Sequence, residues 1–149
     1  MEQDVTLQVI TYIRHPYGEE DRMTFQGKGK LYLKDESVYL RYEEQLEDLG
    51  KTATIVQWKE AEKDSPVVTI IRQGDVSMKQ VFEKGKTWSN AYLSPYGRLE
   101  LEMITHQVKI EKEWLKGKIY LSYDVYIDQQ KIGHYQVEIE YQEERGILH

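Results

Sequence analysis

The chain contains no cysteine. That excludes disulfides, thiolate metal sites and a cysteine nucleophile, and it suits the cytoplasm, which is the expected location. No run approaches the roughly 18 consecutive apolar residues of a membrane-spanning helix. The opening residues, Met1 to Val5, carry neither a basic region nor an unbroken apolar stretch, so no secretory leader is expected. Positive charge is in deficit: 20 Lys plus Arg stand against 26 Asp plus Glu, a formal charge of −6. Nucleic acid and anionic membranes reward clustered positive charge, so neither is an expected partner. Phenylalanine is scarce, with 2 residues against 12 tyrosines. Tyrosine combines strand propensity with a polar tip, which suits a half-wet sheet surface or a pocket wall.

What is present is alternation. Val5, Leu7, Val9 and Ile13 share one parity, as do Ile119, Leu121, Tyr123, Val125 and Ile127. Side chains on a strand point to opposite faces in turn, so a period of two marks a sheet with one apolar face. The length of 149 residues is that of a single domain, here 1–149. A chain of this size buries about 68–70% of the surface its unfolded form exposes, enough for its own core.

Alternation predicts strands over residues 5–14, 23–34, 37–44, 52–59, 67–73, 76–83, 87–94, 98–110, 118–128 and 131–141. Turns are read at His15-Pro16-Tyr17-Gly18, Asp35-Glu36, Gly74-Asp75, Lys84-Gly85, Ser94-Pro95-Tyr96-Gly97, Lys116-Gly117 and Gln129-Gln130. Pro fixes φ and Gly admits positive φ, so both punctuate strands. Residues 43–50 are acidic and break the alternation, reading as a loop or one helical turn. Gly27 and Gly29 share a face, which marks a bend or a close backbone approach. The apolar set shifts from Leu99, Leu101 and Met103 to Ile104, Val108 and Ile110. Such a change of parity predicts a β-bulge near residues 103–105. Residues 142–149 are expected to fray. Strands joined by short turns pair antiparallel with their sequence neighbours. Closing the meander into a barrel removes the exposed edges of an open sheet. A two-sheet sandwich is the alternative.

Some of these residues form a recognisable pattern. It comprises Arg72-x-Gly74, then Met78 and Phe82, then Tyr92-x-Ser94-Pro95-Tyr96-Gly97 and Thr105, with Tyr42-Glu43 and Tyr123 on other strands. Over essentially its full length the chain resembles the uncharacterised bacterial β-barrel family typified by YwiB. The resemblance implies an all-β, antiparallel up-and-down meander closed into a calycin-like (lipocalin-like) barrel of about 8–10 strands, a size that holds one small ligand. It carries over no catalytic residue. The Gly-x-Trp signature of secreted lipocalins is missing, since Trp88 follows Thr87 and Gly85 stands three positions back.

Candidate chemistry is sparse. Gly27-Lys28-Gly29-Lys30 lacks the spacing of a phosphate loop and opens no helix. The histidines, at 15, 106, 134 and 149, lie far apart in sequence and form no HExxH, so no metal site is read. No Gly-x-Ser-x-Gly elbow surrounds Ser94. His106 is placed near Glu100 or Glu102, both on a wet face. Arg72 shares parity with Val68 and Ile70, so it points into the barrel. A buried guanidinium needs a partner. The leading expectation is a Glu on a neighbouring strand, and the alternative is the carboxylate of a bound ligand. Tyr39, Arg41, Tyr120 and Tyr126 are read as one outer aromatic strip, a possible homodimer face.

The leading expectation is a non-enzymatic barrel without cofactor that binds a small apolar or amphiphilic ligand. Its lining is drawn from Leu31, Leu33, Val38, Leu40, Ile70, Arg72, Met78, Phe82, Leu101, Leu121 and Tyr123. The same residues suffice to fill an eight-stranded interior. That leaves two rivals: a module acting through its outer surface, and an enzyme of unread reaction.

Overall fold

A computed structural model describes residues 2–46, 50–60, 64–74, 77–94 and 97–144. The strands are β1 (Glu2–Arg14), β2 (Glu20–Lys34), β3 (Ser37–Leu46), β4 (Gly50–Lys59), β5 (Val67–Gly74), β6 (Met78–Glu83), β7 (Thr87–Ser94), β8 (Gly97–Glu113), β9 (Lys116–Ile127) and β10 (Gln130–Glu143). They form one antiparallel sheet in the order β6-β5-β4-β3-β2-β1-β10-β9-β8-β7, nearly closed into a barrel. Inward residues are the apolar parity of each strand: Val56 and Trp58 on β4, and Ile119, Leu121, Tyr123 and Val125 on β9, are all buried. Each such side chain contributes roughly 1.5–3 kcal/mol of burial free energy.

Closure comes from the two ends of the chain. β1 and β10 form a continuous ladder from Val5↔Glu143 to Arg14↔His134. The gap lies instead between β6 and β7, which are consecutive in sequence and share no ladder. Their connecting turn is pinned to β8: Gly85 N–H donates to the Thr105 carbonyl at 2.8 Å, and Thr105 N–H to the Lys86 carbonyl at 3.1 Å. This anchoring swings β7 onto β8 and away from β6. The seam is bridged by side chains, as Trp88 Nε1 and Asn90 Nδ2 each donate to the Lys79 carbonyl at 3.2 Å. Phe82 and Met103 are wholly buried behind it. Consecutive pairing, expected throughout, therefore fails at this one junction among the described strands.

Several boundaries differ from those read in the sequence. Residues 43–46 and 50 are strand, pairing from Glu43↔Ala53 to Leu46↔Gly50; residues 47–49 lie outside the described set. The acidic side chains that broke the alternation do not interrupt the ladder, because backbone groups make it. The β9–β10 turn is Asp128-Gln129, one residue earlier than expected, with φ of 49° and 69°. Two positive φ values match the twist of a two-residue hairpin. The β8–β9 turn falls at Trp114-Leu115, so Gly117 lies within β9. There it faces Tyr141, whose ring occupies the space a Cβ would need. Gly29 also marks a close approach: an added Cβ would stand 2.5 Å from the Arg41 carbonyl. Gln142 is not frayed, since it pairs with Thr6 and Lys116, and Glu144 N–H donates to the Asp4 carbonyl at 2.8 Å. Residues 145–149, Asp75, Val76, Pro95 and Tyr96 lie outside the described residues. The predicted bulge exists between Thr105 and Gln107, at His106. A second, unread in the sequence, lies between Lys131 and Gly133.

Candidate functional site

The interior draws together most of the expected lining. Val38, Leu40, Ile70, Phe82, Leu101, Leu121 and Tyr123 belong to one buried cluster, with Leu31 and Met78 packed against it. Leu33 does not join them and is 46% exposed. It has the inward parity and pairs with the buried Val38, but the β1–β2 ladder ends at Glu2↔Tyr32, so no described residue of β1 covers its other side.

One part of this interior is polar. Tyr42, Thr54, Arg72 and Met78 stand in a row across β3, β4, β5 and β6. Arg72 points inward, as its parity implied, and is half-buried. Its partner is not the expected glutamate: Nη1 donates to Gln80 Oε1 at 2.9 Å. Gln80 is buried, and its Nε2 meets Met103 Sδ at 2.9 Å. Arg72 makes no ion pair among the described residues. The nearby carboxylate, Glu44, is engaged elsewhere, accepting from Thr54 Oγ1 at 3.1 Å. Burial pushes the Tyr42 hydroxyl far above the ordinary phenol range; Glu44 adds to this and the Arg72 charge opposes it. Burial raises Tyr123 in the same way, again opposed by Arg72. Arg72 is thus within electrostatic reach of two neutral tyrosines. Beside the row, the wholly buried Thr52 Oγ1 has no hydrogen-bond partner among the described residues.

A second cluster stands on the outer wall, where β8, β9 and β10 adjoin. Asp124 lies opposite His134 in the β9–β10 ladder. His134 Nδ1 is 2.7 Å from Asp124 Oδ1, and His106 Nε2 is 2.9 Å from Asp124 Oδ2. The other nitrogen of His134 is 3.3 Å from Ser122 Oγ. Lys131 Nζ approaches Asp124 Oδ2 at 3.8 Å. Partial burial alone would raise the Asp124 carboxyl, but hydrogen bonds from both histidines and the Lys131 charge hold it below the usual range. Sequence reading missed this cluster because its members sit on three strands, and it placed His106 beside Glu100 or Glu102 instead. The signal available was the parity break in β8, since bulges re-aim side chains near sites.

The remaining candidates are separated by the fold. Gly27 to Lys30 run along β2, where Lys30 pairs with Asp4 and Glu2 on β1. Tyr39 stacks on Tyr32 at 5.1 Å. Tyr120 and Tyr126 lie on β9, which β2, β1 and β10 separate from β3, so the proposed aromatic strip is not continuous. A shallow trough of about 680 Å3 crosses the outer wall. Its floor includes the row Gln26–Gln8–Glu140–Lys118–Glu111, in which acid and base alternate.

Comparisons with known proteins agree with this architecture. Residues 8–139 match a family described as a domain of unknown function, DUF1934. The chain is 34% identical over 134 residues to the uncharacterized beta-barrel protein YwiB of Bacillus subtilis (strain 168), covering 89% of each chain. The crystal structure of the ywiB protein from Bacillus subtilis superimposes with a TM-score of 0.83 at 30% identity, covering 97% of this chain and 94% of that one.

Proposed function

This chain belongs to the DUF1934 family of β-barrel proteins, and from that premise we propose that it binds a small amphiphilic ligand inside the barrel, with the anionic head of the ligand held by Arg72. The observation that carries the reading is the inward guanidinium whose partner is a neutral amide. A charge withdrawn from water needs compensation, and a planar guanidinium is suited to a carboxylate in two-point contact. Gln80, Tyr42 and Tyr123 surround that position with neutral polar groups. Apolar surface adjoins it: Phe25 stacks on Tyr42 at 5.6 Å, and the half-buried Tyr135 on Tyr123 at 5.5 Å. A few convergent polar groups within apolar walls are the usual composition of a ligand site. The calycin-like reading belongs with this proposal, since small barrels of that kind hold one ligand.

The test is titration with a dansyl-labelled fatty acid, followed by fluorescence, with its methyl ester as the neutral control. We expect the acid to bind at one equivalent, the ester to bind more weakly, and Arg72→Gln to lose about tenfold in affinity for the acid, the scale of one charge-assisted contact. Equal binding of acid and ester, or an unchanged Arg72→Gln, removes the anchor. The rival reading, a module acting through its outer wall, is supported by the trough. Its volume exceeds the about 300 Å3 at which ligand sites begin, but its alternating charges suit a charged partner and not a greasy one.

A further inference from the structure

We propose that His106, Asp124 and His134 form a binding site for a divalent transition-metal ion, most readily zinc, on the outer wall of the barrel. This site is separate from the interior and stands whether or not the barrel binds a ligand. One ligating atom from each of the three residues lies within 4.8 Å of the others. Zinc bonds of about 2.0–2.1 Å hold tetrahedral ligand atoms about 3.3 Å apart; the 2.7 and 2.9 Å contacts run to opposite oxygens of Asp124, so an ion taking one atom from each residue requires separations now within 4.8 Å to close by at most about 1.5 Å. Two imidazoles with one carboxylate are a donor set for zinc or ferrous iron, with room for a further ligand.

Two further features favour a site over a chance hydrogen-bonded trio. The strands on both sides of Asp124 carry a β-bulge, at His106 on β8 and between Lys131 and Gly133 on β10. Each bulge gives up a ladder position and re-aims the chain beside it. Secondly, His134 is held through both nitrogens: Nδ1 faces Asp124 while Nε2 meets Ser122 Oγ, and the Ser122 side chain is buried. With metal on Nδ1, the ring proton sits on Nε2 and is donated to Ser122, the outer-shell contact that metal-bound histidines use. Asp124 and His134 are 15% and 19% exposed, and His106 is 46% exposed. The site therefore has a fixed inner wall and an open side. Lys131 opposes the cation, but its ammonium is 3.8 Å away on a side chain 45% exposed, free to swing into water.

The experiment is calorimetric titration of chelator-treated, full-length protein with zinc chloride, with cobalt substitution to read geometry by absorption. One zinc per chain is expected, with a tetrahedral cobalt spectrum. His106→Ala and His134→Ala should each weaken zinc at least tenfold, while His15→Ala leaves it unchanged. Lys131→Ala should tighten binding several-fold, because it removes a repelling charge. Circular dichroism checks that each variant folds, and the exposed His106 is the safe position should His134→Ala perturb the sheet. Failure of the wild type to bind, or binding unmoved by both histidine variants, overturns the proposal.

Discussion

Thr52 and Thr54 sit two apart on β4, both wholly buried, and differ in one respect. The Thr54 hydroxyl donates to Glu44, whereas the Thr52 hydroxyl has no partner among the described residues. A buried hydrogen bond contributes about 0.5–1.5 kcal/mol net, while an unsatisfied buried group costs about 1–3 kcal/mol. Valine conserves the shape of threonine and removes the polar atom. Thr52→Val is therefore expected to stabilise the fold by about 1 kcal/mol, and Thr54→Val to destabilise it by about 1–3 kcal/mol, because Glu44 then loses a donor. Urea unfolding measures both: the midpoints should move in opposite directions with the slope unchanged. A loss of stability in Thr52→Val would show that this hydroxyl has a partner after all.

At the scale of the strand, the bulge in β8 keeps two apolar runs on one face. Leu101, Met103 and Thr105 are buried on odd numbers, and Val108 on an even one, with His106 as the extra residue. Deleting His106 should leave both runs facing inward, so the variant is expected to fold and unfold cooperatively. Deleting Glu102 instead flips Leu101 or Met103 to the solvent face, a register error that a buried face does not tolerate. Circular dichroism and thermal melts of the two deletions check this; a folded Glu102 deletion refutes it. The bulge was legible in the sequence because a parity break is a local signal. So were ten strands, since each carries its own alternation, and so was the inward aim of Arg72. The Gln80 partner was not, because finding it requires the β5–β6 register. The three members of the outer cluster come from different strands, and Asp124 alone looks like any solvent-facing residue. Leu33 was misplaced because parity says which face a residue takes but not whether the neighbouring strand extends far enough to cover it.

For the molecule as a whole, the weakest line is the seam between β6 and β7. Every other neighbouring pair shares a ladder, whereas here two side chains share one carbonyl, that of Lys79. Amides of β6 along this line are expected to exchange with deuterium before those of β1 and β10. Removing both donors in Trp88→Phe with Asn90→Ala should cost about 1–3 kcal/mol, from two hydrogen bonds of ordinary strength. Hydrogen-exchange mass spectrometry would show the extra opening confined to β6 and β7; uniform protection around the cylinder would contradict it.

The weld between the first and last strands carries a consequence for synthesis. Val5 waits for Glu143, and Arg14 for His134. Translation proceeds at about 5–20 residues per second, so a nascent N-terminal hairpin spends seconds with one flank bare before its mate leaves the ribosome. Sealing thus waits until β10 has been made, and during that interval the bare flank is the part of the molecule a chaperone would have to shield.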